Sequence, residues 1–424
     1  MRVLQLSWEY PPLVYGGLGR HVHALSEALA AAGHEVTVVT QEVDGSPSDE
    51  TVHGVRILRV ANDLPQLPQS DLLAWVMAFN HGIARAALRV GRESPYDVIH
   101  AHDWLVTHAA ATVKEALGLP LVATLHATEA GRHQGWLPTD LSKTIHAMEW
   151  WLTYQARRVI TCSAHMQWEA TRLFELPPDS VDVVPNGIDL DRWSVSSEAA
   201  LGARREYAGG GPLIVYTGRL EYEKGVHTLL RAMPRLRRRF PGIRLVVAGQ
   251  GTHADELRAL ARRLRLGSSV RFAGWLGEER LIALAAAADC AIVPSLYEPF
   301  GMVALEAAAC GTPLVVGDTG GLREFVDHGI TGLRFTPDDV PGLADAVSSL
   351  LRDEVLARRM SRDARQVLDR EYRWSAIAAR TAGVYERAAR EEAALLAAHA
   401  TAHPGRPPGP ALQMAVGEGN LLRD

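Results

Sequence analysis

Short apolar runs rich in β-branched residues alternate with longer stretches whose apolar positions recur at helical spacing along most of the chain. Residues 2–6 read as a strand, 19–32 as an Ala- and Leu-rich helix and 35–40 as a second strand. Further strands are predicted at 97–100, 121–125, 158–161 and 181–184, with a helix over 104–117. The theme then restarts with strands at 213–216, 244–248, 270–272, 290–293 and 314–316, and with helices beginning at Gly225 and Ala254. Continuous apolar strands separated by helices are the pattern of parallel sheets covered on both faces.

Between the two series lies Pro185-Asn186-Gly187-Ile188-Asp189, then a polar stretch ending in Gly209-Gly210-Gly211-Pro212. Such punctuation marks a hinge or linker. The reading is two similar α/β halves: an N-terminal domain over 1–190 and a second over 191–372. Open α/β sheets bind ligands beyond the carboxyl ends of their strands, so two facing halves place a site in the cleft between them. A helix is expected over 373–390. From 391 to 424 the pattern is lost among Pro404, Pro407, Pro408 and Pro410, and the segment reads as a disordered tail.

Composition narrows the function classes. The 424 residues are 47% hydrophobic and 22% charged, with a net charge of −5, the mix of a soluble globular protein without the basic excess of a nucleic-acid binder. The local cluster Arg235, Arg237, Arg238 and Arg239 reads as a solvated helix end. Cys162, Cys290 and Cys310 are far apart with no CxxC pairing, which argues against a disulfide framework or zinc site. No stretch reaches the roughly 20 apolar residues of a membrane span, and the opening residues lack the form of a signal peptide. A cytoplasmic location is expected.

Several segments could carry chemistry. Gly16-Gly17-Leu18-Gly19 sits between a strand and a helix, where backbone can approach a ligand and free N–H groups can meet an anion; a plain tight turn explains it equally. Arg219 and Lys224 lie at a strand's carboxyl end, five residues apart, a fork and a point charge suited to a diphosphate. The alternative there is an exposed loop in which Glu221 and Glu223 neutralise both. In Tyr297-Glu298-Pro299-Phe300-Gly301-Met302-Val303, the break at Pro299 and Gly301 precedes an Ala-rich helix carrying Glu306. Its two carboxylates suit sugar or ribose hydroxyls, and the helix start suits phosphate; the alternative is that the pair is only capping and surface charge. His100-Ala101-His102-Asp103-Trp104 superficially suggests a metal cluster, but no third ligand stands at a typical spacing, so no metal is expected. His126, at a strand's end, is the better candidate for facing the cleft. Asp189-Leu190-Asp191 matches a DxD pattern but reads as turn and helix start. Trp136, Trp150, Trp151 and Tyr154 form an aromatic surplus that reads either as core or as a sugar platform.

Taken together, these segments resemble the retaining glycosyltransferases of family 4 with the GT-B fold, relatives of bacterial glycogen and starch synthases. The resemblance spans about residues 1–390. It rests on Ser7-Trp8-Glu9-Tyr10-Pro11-Pro12, Gly16-Gly17-Leu18-Gly19, His100-Ala101-His102-Asp103-Trp104, Pro185-Asn186-Gly187-Ile188-Asp189, Gly218-Arg219 with Lys224-Gly225, and Glu298 with Glu306. His102-Asp103-Trp104 and residues 124–132 look nearest to actinobacterial α-1,4-glucosyltransferases, which act on glycogen or on methylglucose lipopolysaccharide.

The resemblance implies two Rossmann-like domains facing across a cleft, with a C-terminal helix crossing back to the first. It implies a retaining hexosyltransferase that needs no cofactor, taking glucose from ADP- or UDP-glucose to a glucan in α-1,4 linkage. Arg219, Lys224 and a Gly17 amide would hold the donor diphosphate. Glu298 would bind the donor sugar near Phe300, Gly301, Met302 and Val303, and Glu306 the ribose. His126 would touch the transferred sugar, while Glu9, Tyr10, Asp103 and Trp136 would line the acceptor side. One departure stands out: the family's ADP-glucose synthases carry lysine two residues before the double glycine, where this chain has Val14. A glucose-1-phosphate acceptor, a glycolipid or mannosyl transferase, an epimerase on the same fold and a silent scaffold are the rival readings.

Overall fold

The computed structural model describes residues 1–61 and 71–402. Eight strands build the first sheet: β1 (Arg2–Leu6), β2 (Glu35–Gln41), β3 (Asp49–Val52), β4 (Val55–Val60), β5 (Val98–His102), β6 (Leu121–Leu125), β7 (Arg158–Thr161) and β8 (Val181–Val183). Their order is β3-β4-β2-β1-β5-β6-β7-β8. Every pairing is parallel except the edge hairpin β3–β4, whose turn is made by His53 and Gly54 at positive φ. The inner strands are buried along nearly their whole length, as expected of a sheet covered on both faces.

The second sheet has six parallel strands: β9 (Leu213–Thr217), β10 (Arg244–Ala248), β11 (Val270–Gly274), β12 (Cys290–Val293), β13 (Leu314–Gly317) and β14 (Leu333–Phe335), ordered β11-β10-β9-β12-β13-β14. In each sheet the strand order reverses direction at one place, between β1 and β5 and between β9 and β12. Loops leaving neighbouring strands there diverge to opposite faces, opening a crevice at the carboxyl edge. Nearly every candidate residue lies on the loops that leave these four strands or on the helices that directly follow them. The fold is therefore GT-B: two Rossmann-like sheets with a helical C-terminus that returns to the first.

That return is built by the helix Trp374–Ala402, which was expected to stop at 390. Glu391 and Glu392 pair with Arg158 and Arg157 at 2.6 and 2.7 Å, so the helix stays anchored on the first lobe past the end of its apolar stripe. The Ala- and Leu-rich sequence beyond them keeps high helix propensity. The rest of the expected tail, 403–424, lies outside the described residues. Trp374 packs over Gly187, where a Cβ would stand 2.5 Å from the indole. Tyr385 is fully buried and meets His100 Nδ1 at 2.7 Å.

Candidate functional site

The first lobe's contribution begins at Glu9. Its buried carboxylate accepts the N–H groups of Tyr15 at 2.9 Å and Gly16 at 3.2 Å, pinning the loop that enters the helix Gly17–Ala31. Gly19 is required beside it, since a Cβ there would come within 2.8 Å of Glu9 Oε2. Glu9, expected on the acceptor side, is thus a brace for the glycine loop. Gly16 and Gly17 face open space, and the first N–H groups of a helix lack intrahelical acceptors. Tyr10, also expected at the cleft, is 3% exposed within the core beside Val22 and Val38.

Beyond β5 and β6 lies a cluster of imidazoles. Asp103 holds φ +59°, a conformation that non-glycine residues rarely take, and its Oδ1 accepts the His126 N–H at 2.8 Å. Burial raises the Asp103 carboxyl to about 6. His102 Nδ1 meets His126 Nε2 at 3.3 Å, and His21 packs edge-on to His126 with ring centroids 4.7 Å apart. His21 Nδ1 is held by Asn186 Oδ1 at 2.6 Å, joining this cluster to the hinge. Burial, with Arg132 adding to it, drives the His126 imidazole down to about 3, and burial also lowers His21, His100 and His102. All four are held neutral. Among the described residues, His21, His102 and His126 are the group that could hold a metal ion, their ring nitrogens lying within 4.8 Å of one another. His21 is the third ligand that sequence spacing did not supply, because it comes from a distant helix.

The second lobe answers from the loops after β9 and β12. Lys224 Nζ lies 2.9 Å from Glu298 Oε2, which also accepts from Ser295 Oγ at 3.1 Å. Leu296 N–H donates to Glu223 O at 2.7 Å, so the two loops form one surface. Gly225 sits at φ +66° with its Cα against Pro294 O; a Cβ would approach that oxygen to 1.9 Å. Arg219 is half-exposed, and among the described residues no carboxylate is nearer to it than Glu223 at 3.9 Å. Glu221 turns away to Thr252. The picture of two glutamates neutralising both cations therefore does not hold. Gly301, at φ +106°, starts the helix Met302–Ala309, leaving the Met302 and Val303 amides at its open end. The Phe300 ring is buried against Tyr372, so its side chain belongs to the core.

The lobes touch around this crevice. Arg20 Nη1 reaches Glu306 Oε1 at 2.5 Å, Ser163 Oγ donates to Pro299 O at 2.6 Å, and Tyr297 OH donates to Glu169 at 2.9 Å. Glu324 accepts the Ala164 and His165 N–H groups, each at 3.0 Å. Arg20, His21 and Ser295 escaped sequence reasoning, which read Asn186 only as part of the hinge motif; Arg20 and His21 directly follow Gly19, the signal available for them. Trp136 is 71% exposed, while Trp150 and Tyr154 stack with centroids 5.2 Å apart on the outer face of the helix Asp140–Gln155. Asp189 Oδ1 accepts from the Asp191 and Arg192 N–H groups, the geometry of a turn. A cavity of about 1050 Å³ lies elsewhere, lined by Arg204, Arg358, Arg362, Arg365 and Arg373. Arg204, Arg358 and Arg373 pair there with Asp289, Glu354 and Asp369.

A model of the glycosyl transferases group 1 matches residues 203–367, and one of glycosyltransferase family 4 matches residues 15–192. The chain is 48% identical over 404 residues to a glycogen synthase of Mycobacterium tuberculosis, covering 92% of this chain and 96% of that one. It is 32% identical over 414 residues to a D-inositol 3-phosphate glycosyltransferase of Xylanimonas cellulosilytica, covering 93% and 98%. Among solved structures, a sucrose-phosphate synthase from Thermosynechococcus elongatus superposes with a TM-score of 0.79 at 26% identity, over 91% of this chain and 98% of that one. The catalytic domain of Arabidopsis thaliana starch synthase IV, bound to ADP and acarbose, gives 0.73 at 19% identity over 92% and 99%.

Proposed function

This chain belongs to glycosyltransferase family 4 and is a hexosyltransferase, and from that premise we propose that it moves glucose from a nucleoside diphosphate donor to a glucan, extending it by α-1,4 linkage. The observation that carries the donor side is the surface formed by Arg219, the Lys224–Glu298 pair and the open helix end at Met302 and Val303. As the bond from the anomeric carbon to the diphosphate breaks, negative charge grows on the leaving group and positive charge on the sugar ring. Cations fixed beside the diphosphate favour that state over the bound donor. Arg219, half-exposed and only loosely paired with Glu223 at 3.9 Å, is available for a phosphate oxygen. Lys224 holds Glu298 in place for the sugar's hydroxyls, and the helix end adds about half a positive charge.

On the opposite wall, a neutral His126 suits a sugar hydroxyl better than an imidazolium would, because a second cation near the ring would oppose the charge developing there. Asp103 fixes the His126 backbone. The departing phosphate itself takes the acceptor's proton on the same face, which retains the anomeric configuration, and no metal ion has a role in this scheme. The glycogen synthase name of the mycobacterial relative favours glucose and a glucan, and the exposed pair Trp150 and Tyr154 gives a glucan two flat faces outside the cleft. A cytoplasmic location goes with such substrates.

The test is a screen of ADP-, UDP- and GDP-sugars against glycogen, maltooligosaccharides and glucose-1-phosphate, with product linkage read by NMR. Chain extension through α-1,4 bonds supports the proposal. Free sugar alone, an epimerised donor, or transfer only to glucose-1-phosphate would each replace it.

A further inference from the structure

Glu306 sits on the second turn of the helix Met302–Ala309, 6% exposed, with its Oε1 bound by a guanidinium from the other lobe. That guanidinium belongs to Arg20, at the end of the first turn of Gly17–Ala31, and its own side chain is half-exposed. The approach is built in. Glu9 pins the preceding loop through Tyr15 and Gly16, and Gly19 must lack a side chain for the loop to lie there, so the position of Arg20 is set before any ligand arrives. Glu278 also faces Glu306 and repels it, although Arg192 draws part of that charge away through a bidentate pair at 2.6 Å.

Arg20 supplies the counter-charge to this buried carboxylate. Burial raises its pKa, and the nearby Glu278 pushes in the same direction, while Arg20 opposes both. An ionised carboxylate has acceptor positions for two hydroxyls beside the one that Arg20 takes. Arg20 engages one oxygen and leaves Oε2 for a ligand. The vicinal 2′- and 3′-hydroxyls of a ribose are such a pair of donors.

We propose that Arg20 is a positioning residue of the nucleotide site, contributed by the first lobe, which holds the Glu306 carboxylate by its Oε1 and aims it at the ribose diol of a nucleoside diphosphate. The inference rests on the donor-site reading above and deepens it. Donor recognition then depends on both lobes: the carboxylate comes from one and the guanidinium that orients it from the other.

The experiment uses calorimetric binding of ADP and UDP, and of their 2′,3′-dideoxy counterparts, to the full chain and to its Arg20→Ala and Arg20→Lys variants. The wild type is expected to prefer the ribose form of whichever nucleotide it binds. Arg20→Ala weakens that form about tenfold, the scale of one hydrogen bond to a charged group, and leaves the dideoxy form unchanged. Arg20→Lys recovers most of the loss, and in a Glu306→Gln background Arg20→Ala adds nothing further. Equal weakening of both nucleotide forms would make Arg20 only a contact between lobes and overturn the proposal. So would an Arg20→Ala variant that binds as wild type does. A wild type that binds neither nucleotide, or that ignores the diol, would instead remove the donor-site reading, and this inference with it.

Discussion

Lys224 Nζ and Glu298 Oε2 lie 2.9 Å apart, although 74 residues separate them in the chain. Both side chains are largely buried, and they join the loops that leave the two neighbouring strands at the second sheet's switch point. Breaking such a pair from one side leaves an uncompensated charge. Lys224→Ala should therefore cost about 3 kcal/mol of stability as well as activity. Lys224→Ala combined with Glu298→Ala should regain stability but not turnover. Thermal unfolding alongside kinetics separates the two effects, and a double variant no more stable than Lys224→Ala would rule out this pairing energy.

Arg219 presents the opposite case. Half-exposed and 3.9 Å from Glu223, it does little for the fold. Arg219→Ala should leave the melting temperature near wild type and cost on the order of 3–4 kcal/mol in transition-state stabilisation, the effect of losing one preorganised donor. A loss in kcat/KM of less than tenfold would remove Arg219 from the diphosphate. Glu306→Ala, by contrast, should mainly raise the donor KM.

His126 should remain neutral throughout the working pH range. Its imidazole is pushed down to about 3 by burial and Arg132, so the folded protein refuses a proton that the unfolded chain accepts near 6.5. The sign follows: this group's contribution to stability is whole above about 6.5 and shrinks as pH falls toward 3. Ring nitrogen shifts of His126 measured by NMR should keep the neutral pattern from pH 8 to 5. A protonation midpoint above 5 contradicts the burial argument.

Trp150 and Tyr154 stack at an interplanar angle of 18° and stand 40% and 37% exposed. Replacing both by alanine should raise the KM for glycogen roughly fivefold, about 1 kcal/mol of lost aromatic contact, and leave short maltooligosaccharides unaffected. Equal change for long and short acceptors would place the pair outside acceptor binding.

Gly225 offers a purely steric test. Alanine there must hold φ near +66° and place its Cβ 1.9 Å from Pro294 O. The β9 and β12 loops cannot separate without losing the Lys224–Glu298 contact, so Gly225→Ala should lower both stability and activity. Glycine at 225 with alanine at the open Gly17 is the control: Gly17→Ala should fold normally, as judged by thermal unfolding.

The local pattern of residues was enough to specify the elements around the site. Segments dominated by apolar residues at 121–125, 158–161 and 244–248 match their strands, because burial on both faces favours apolar side chains. The break at Pro299 and Gly301 marked the start of the helix Met302–Ala309 for a similar reason: chain reversal demands residues with restricted or permissive backbones. Less was legible at 391–402, where the helix continues without an apolar stripe because ion pairs to Arg157 and Arg158 hold its flank.

Which side chains meet was decided only by the tertiary structure. Tyr10 and Glu9 are sequence neighbours, yet one packs in the core and the other braces the glycine loop. His21 joins His102 and His126, and Arg20 finds Glu306, across 286 residues of chain in the latter case. A sequence records spacing along a strand or helix, and that is sufficient for period, turns and helix starts. Contacts between lobes depend on how two sheets and a returning helix are docked, and no local periodicity encodes that arrangement.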